Sequence, residues 1–173
     1  MSQLSSLSFT SSTESSLLVR DVAGSYRPAE PTEVLQAALR VLAGQLRGTE
    51  MLSSPQAVRD FLRIKLGTLE HEVFAVIHLD AQHRVIEYVE MFRGTVTQTS
   101  VYPREVVKEA MAHNTAAIVL VHNHPSGVAE PSRADEHLTQ TLKSALSLVD
   151  VRVIDHLIVA GPTILSFAVS GLL

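Results

Sequence analysis

The 173-residue chain predicts an α/β fold in which a mixed β-sheet is flanked by helices, and three observations predict it. Helix-type and strand-type hydrophobic periods follow one another in the order α α β β α β α β β. One strand segment, TAAIVLVH at residues 115–122, is almost wholly apolar, as a central strand covered on both faces requires. Hydrophobic residues make up 46% of the chain, enough to fill a core between such layers.

The elements follow in order. Residues 1–30, opening MSQLSSLSFTSSTESSLLVR, are rich in Ser and Thr and lack periodicity, so a flexible arm is expected. A short helical segment fills residues 31–50. Its helix runs over about 32–47, capped by Thr32, striped by Val34, Leu35, Ala38, Leu39, Val41 and Leu42, and ended by Gly48. The main domain spans residues 51–173. Its first helix has Ser54 at the N-cap, Pro55 at the first helical position and Gly67 just past the end. EVFAVIHLD (72–80) and RVIEYVEMF (84–92) flank a DAQH turn and form an antiparallel hairpin that Gly94 breaks. YPREVVKEAMAHN (102–114) is a helix opened by Pro103, and the apolar strand 115–122 follows it. SRADEHLTQTLKSALSLV (132–149) is a helix. VRVIDHLIVAG and TILSFAV close the chain as two strands around Gly161-Pro162.

Composition narrows the function. A formal charge of −4 argues against a protein whose main task is to coat nucleic acid. Arg59, Arg63 and Lys65 make a small basic surface, more in keeping with a solvated helix face than with a nucleic-acid contact. The absence of cysteine removes disulfides, thiolate nucleophiles and cysteine-ligated metals. No apolar run reaches a membrane span, and the N-terminus has no basic cluster followed by an apolar stretch. The expectation is a cytoplasmic protein with no membrane partner.

The chemistry concentrates in LVHNHPSGVAEPSRAD, residues 120–135. Side chains alternate along a strand, so His122 and His124 share one side and Asn123 points away. Pro125, Gly127 and Pro131 reverse the chain sharply. Ser132 then caps the next helix and Asp135 falls in its first turn, where a carboxylate can face back toward the histidines. Two imidazoles and a carboxylate leave one tetrahedral position open, as catalytic zinc requires. Alone, Ser132 and Asp135 are a plain capping box, and either histidine alone is an ordinary imidazole.

HNHPSGVAEPSRAD resembles the metal motif of the JAB/MPN family, also called JAMM: His-x-His-Pro, then Ser-x-x-Asp, with a Glu upstream. The middle Asn and the PSG that follows, together with FRGT, SVYPREVVKEA and DHLIVAG, resemble the RadC-like branch found in bacteria. The resemblance covers roughly residues 50–173. Residues 1–50 contain nothing that matches the helix-hairpin-helix-type region of longer RadC-like proteins, so the chain resembles the short stand-alone forms found on mobile elements. The resemblance implies a cytidine-deaminase-like three-layer α/β sandwich. It implies one zinc ion per chain, held by His122, His124 and Asp135. It implies Glu72 as general base, with Glu90 and then Glu70 as alternatives, and Ser132 as a hydrogen-bond donor to a developing oxyanion.

Several look-alikes are set aside. The letters HNH are not the nuclease motif, whose residues are dispersed over a different fold. A zinc base-deaminase needs Pro-Cys-x-x-Cys, which a chain without cysteine lacks. GTVTQTS is no phosphate loop. His71, His78, His83, His113 and His137 show no ligand spacing and are assigned to the surface or core. His156, beside Asp155, is either support for the site or part of a buried structural pair, with the structural role favoured. The function expected is a zinc metallopeptidase acting on a peptide or isopeptide bond of a protein substrate. The main competitor is an accessory protein of DNA repair or recombination on a mobile element, with nucleic acid as partner and a metal site that serves no peptidase role. A scaffold that keeps the metal without catalysis and a metal-dependent nuclease are the remaining readings.

Overall fold

The structure, a computed structural model, describes residues 17–48, 51, 55–94 and 100–173. The expected cap at Ser54, the first sixteen residues of the arm and most of GTVTQTS lie outside the described residues. The chain divides into two units, Met1–Ala38 and Leu39–Leu173.

In the first unit, β1 (Leu18–Arg20) and β2 (Tyr26–Pro28) pair antiparallel. Asp21 holds their turn, its carboxylate accepting the Ser25 N–H at 2.8 Å. The described part of the expected arm thus carries a ribbon. Strands of three residues are too short to display an alternating period, so the sequence does not announce them. Helix α1 (Pro31–Leu46) starts one residue earlier than expected. Pro31 takes the first helical position, Glu30 accepts the Val34 N–H, and Glu33 bonds back to the Glu30 N–H at 2.9 Å. Thr32 therefore lies inside the first turn and is not the cap.

The second unit is a five-stranded sheet between helical layers. Its strands are β3 (Val73–Leu79), β4 (Val85–Arg93), β5 (Ala117–Asn123), β6 (Arg152–Ala160) and β7 (Thr163–Ser166). They lie in the order β4-β3-β5-β6-β7. Only the β5–β6 pair is parallel, so the sheet is mixed, as expected. Every residue of β3 and β5 is buried. Alternation then sorts their side chains into two cores. Ala75, Ile77, Val119 and Val121 meet Val58, Phe61, Leu62 and Leu66 of α2 (Pro55–Leu66). Phe74, Val76, Ile118 and Leu120 meet Val106 and Ala110 of α3 (Pro103–Ala112) and Leu142 and Leu146 of α4 (Arg133–Ser147). Each large aliphatic side chain buried this way contributes about 1.5–3 kcal/mol of transfer free energy. Gly67 ends α2 where nothing larger fits: a Cβ there would lie 2.5 Å from the Arg63 carbonyl oxygen and 2.8 Å from that of Gly161.

One expected strand is shorter than foreseen. TILSFAV is a strand only through Ser166, after which Phe167–Ser170 form a helical turn, α5. Asp155 explains the switch. Its carboxylate accepts the Ser166 hydroxyl at 2.6 Å and the Ala168 N–H at 3.0 Å, pulling the chain out of the ladder. Among the described residues no helix is long and apolar enough to cross a membrane.

Candidate metal centre

His122 stands near the end of β5, paired with Phe74 of β3 on one side and Ile158 of β6 on the other. It is 2% exposed and shares the α4 face of the sheet with Ile118 and Leu120. His124 lies one residue past the strand, its N–H continuing the ladder to the Val159 carbonyl at 2.8 Å. The chain then reverses. The Gly127 N–H bonds back to the His124 carbonyl at 3.1 Å, and Gly127 sits at φ 77°, where a side chain would strain the backbone. This turn brings the Val128 carbonyl to His124 Nδ1 at 2.8 Å.

Ser132 caps α4 in a complete capping box. Asp135 Oδ2 accepts both the Ser132 N–H and the Ser132 hydroxyl at 2.7 Å, while the Asp135 N–H donates to Ser132 Oγ at 3.2 Å. Capping and aiming are one arrangement. The box that closes the helix end also turns Asp135 toward the histidines, with Oδ1 3.3 Å from His122 Nε2 and Oδ2 3.6 Å from His124 Nε2.

The hydrogen-bond chain behind His122 decides where its lone pair points. Thr139 has one hydroxyl hydrogen and gives it to the Asp135 carbonyl at 2.6 Å. Thr139 Oγ1 must therefore accept from His156 Nδ1, 2.7 Å away. Burial pushes His156 well below the usual imidazole range, so its ring is neutral and its Nε2 carries no hydrogen. That nitrogen accepts the Nδ1–H of His122 at 2.8 Å. The Nε2 of a neutral His122 is then bare. His124 reaches the same state by a shorter route, because its Nδ1 faces a carbonyl that can only accept.

The two Nε2 atoms lie 2.9 Å apart with the carboxylate beside them. Two lone pairs and a carboxylate at these distances repel unless positive charge lies among them. The same demand holds His124 above the usual imidazole range, chiefly through its hydrogen bond with Asp135. A proton taken up at these nitrogens supplies that charge when no ion does: burial alone would raise Asp135, but hydrogen bonds from protonated His122 and His124 hold it well below the usual carboxylate range. A tetrahedral ion with bonds of about 2.0–2.1 Å spaces its donors about 3.3–3.4 Å apart. The two Nε2 atoms lie somewhat closer than that, 2.9 Å apart, and each has a different Asp135 oxygen near that spacing, Oδ1 at 3.3 Å from His122 and Oδ2 at 3.6 Å from His124. His122, His124 and Asp135 thus form a group that could hold a metal ion.

Glu72 immediately precedes β3. Phe74 pairs with His122, which sets Glu72 level with His124 across the ladder, and its charge adds to the upward pull on that imidazole. Glu90 is not brought to the histidines. It pairs with Ala75, whose side chain belongs to the α2-side core, and forms an ion pair with Lys65 at 2.8 Å. Glu70 is exposed in the turn ahead of the strand.

Two contributors, Thr139 and Asn123, escape a reading of the sequence as parts of the site, and a third, His156, is one whose support for the site the sequence leaves second to a structural role. His156 is fully buried and supports His122, while Asp155 anchors the C-terminal turn, so the Asp-His pair divides between the two roles weighed for it. Thr139 closes the chain from His156 to the backbone of Asp135. Asn123, 1% exposed, accepts the Val73 N–H at 2.8 Å and donates to the His71 carbonyl at 3.0 Å. It thereby pins the chain on both sides of Glu72. An amide buried between two histidines was the available signal, since such a group must find partners.

With this geometry in view, the comparisons with known proteins are specific. The family described as RadC-like JAB domain matches residues 52–172. A UPF0758 protein of Leptothrix cholodnii is 61% identical over 150 residues, covering 87% of this chain and 68% of that protein. A UPF0758 protein of Methylibium petroleiphilum is 59% identical over 150 residues, with the same coverage. One from Polaromonas sp. is also 59% identical over 150 residues, covering 87% of this chain and 67% of that protein.

Proposed function

The chain belongs to the RadC-like JAB domain family, and from that premise we propose that it is a zinc-dependent hydrolase of amide bonds, peptide or isopeptide. His122, His124 and Asp135 hold one zinc ion. The observation that carries this reading is the convergence of the Nε2 atoms of His122 and His124, 2.9 Å apart, on the Asp135 carboxylate, whose oxygens lie 3.3 and 3.6 Å from them. Zinc bound there supplies a Lewis acid that makes water a nucleophile at neutral pH.

The protein's own residues supply the rest. His156 and Thr139 keep His122 in the tautomer that offers Nε2. Glu72, held level with His124 by Asn123, takes a proton from the attacking water and gives it to the leaving amine. Ser132 Oγ is fixed by the Asp135 N–H, so its hydroxyl hydrogen can swing from Asp135 Oδ2 to a developing oxyanion without moving the oxygen. An open groove lined by Val128, Glu130, Thr163 and Leu165 borders β7, an edge strand, and gives an extended peptide a place to lie.

The small basic surface weighed for nucleic acid makes contacts of its own within the chain. Arg59 donates to the Ile164 carbonyl, Arg63 to the Pro162 carbonyl and Asp60, and Lys65 pairs with Glu90. These cations are engaged within the chain.

The test is elemental analysis with a peptide and isopeptide screen, on wild type, His122→Ala and Glu72→Gln. The reading expects His122→Ala to lose one zinc per chain and all hydrolysis. It expects Glu72→Gln to keep the zinc and lose hydrolysis. Hydrolysis that survives in both variants contradicts it.

A further inference from the structure

The α3/α4 face of the sheet carries a second cluster of metal-ligating side chains. His78 of β3 pairs with Ile118 of β5, whereas Phe74 pairs with His122. Four residues of strand, roughly 13 Å, separate the two positions. His78 is fully buried. Its Nδ1 lies 2.8 Å from Thr115 Oγ1, and its Nε2 has no hydrogen-bond partner. A buried ring nitrogen left unpaired keeps the cost of its lost hydration, so it calls for a cause.

The neighbours supply one. His113, at the C-cap of α3, stacks on His78 with ring centroids 4.5 Å apart and planes 10° from parallel. Glu109 stands one helical turn earlier on the same face. His113 Nδ1 lies 3.0 Å from the Glu109 carbonyl oxygen and 3.4 Å from its carboxylate. A carbonyl only accepts, so Nδ1 is the protonated nitrogen of a neutral His113 and Nε2 is bare. One donor atom from each of His78, Glu109 and His113 lies within 4.8 Å of the others.

We propose that His78, Glu109 and His113 form a second divalent-metal site, separate from the His122, His124 and Asp135 centre. Two imidazoles and one carboxylate select zinc and its neighbours over calcium and magnesium, which take oxygen ligands. An ion on His78 Nε2 pairs the orphaned nitrogen. It also sets Thr115 Oγ1 as acceptor of the Nδ1–H, the supporting bond that metal-bound imidazoles use. Parallel rings cannot both point a lone pair at one ion, so His113 tilts. Its half-buried place at the end of α3 gives it room. The bound ion clips the end of α3 to β3.

The experiment uses tag-free full-length protein, stripped with chelator and titrated with zinc chloride. Asp135→Asn disables the first centre, and His78 is left intact because a change at a fully buried position endangers the fold. The expected result is two zinc ions per wild-type chain and one in Asp135→Asn. None is expected in Asp135→Asn combined with His113→Gln or with Glu109→Gln. In Asp135→Asn, zinc should shift the ring-nitrogen resonances of His78 and His113 together. Absence of zinc uptake by a folded Asp135→Asn protein overturns the proposal. So does uptake that His113→Gln and Glu109→Gln leave unchanged. A wild type that binds one ion, retained in His113→Gln and lost in His122→Ala, refutes this site and leaves the first centre standing.

Discussion

Replacing His156 by Phe tests whether the buried imidazole chain sets up the metal ligands. The ring has no exposed surface, so Phe keeps an aromatic body in the core while removing two hydrogen bonds, 2.8 Å to His122 and 2.7 Å to Thr139. The His122 Nδ1–H is then a buried donor without an acceptor, a loss of about 1–3 kcal/mol. His122 can recover part of that by moving its hydrogen to Nε2, but this covers the lone pair the ion needs. Loss of such a supporting partner lowers metal affinity about 10- to 100-fold. The assay is competition for zinc against a chromophoric chelator, alongside urea unfolding. Weaker zinc binding in a folded protein is expected, with His156→Gln less affected because its amide oxygen can still accept. Unchanged affinity in His156→Phe would mean that His122 needs no buried acceptor, and the derivation of its tautomer would be wrong.

Other consequences are open to measurement. Asn123→Ala removes the two bonds that flank Glu72, so turnover should fall with zinc content unchanged, and unfolding should show a loss of about 1–3 kcal/mol; unaltered turnover would separate Asn123 from Glu72. Ser132→Ala should cost about 0.5–2 kcal/mol as a lost helix cap and also weaken zinc binding by freeing Asp135; a stability loss alone would confine Ser132 to capping. Burial, helped by His113, pulls His78 down to about 4 from 6.5. The unfolded chain therefore binds the extra proton between those values, and metal-free protein should lose up to about 3 kcal/mol as pH falls from 6.5 to 4. Stability that stays flat across that window would contradict the placement of His78.

How legible the site is from sequence depends on how local its geometry is. His122, His124, Ser132 and Asp135 fall within fourteen residues, and strand alternation, a glycine turn and a capping box convey their arrangement. The sheet with two covered faces is equally visible, because the apolar runs of β3 and β5 have no other use. The support is not local. His156 reaches His122 only through parallel pairing of β5 with β6, and Asn123 reaches residues 71 and 73 only through antiparallel pairing with β3. His78 and His113 are thirty-five positions apart and meet because α3 lies across the sheet. The turn at Phe167 was hidden for a similar reason: TILSFAV has the composition of a strand, and Asp155, eleven residues before Ser166, ends it.

The proposed chemistry depends most directly on an ion held among His122, His124 and Asp135. The measurement is anomalous diffraction at the zinc edge from crystals of the full chain grown with zinc. A peak bonded to Nε2 of both histidines and to the Asp135 carboxylate is the predicted result. Zinc-loaded crystals with these three side chains ordered and no peak among them would contradict it.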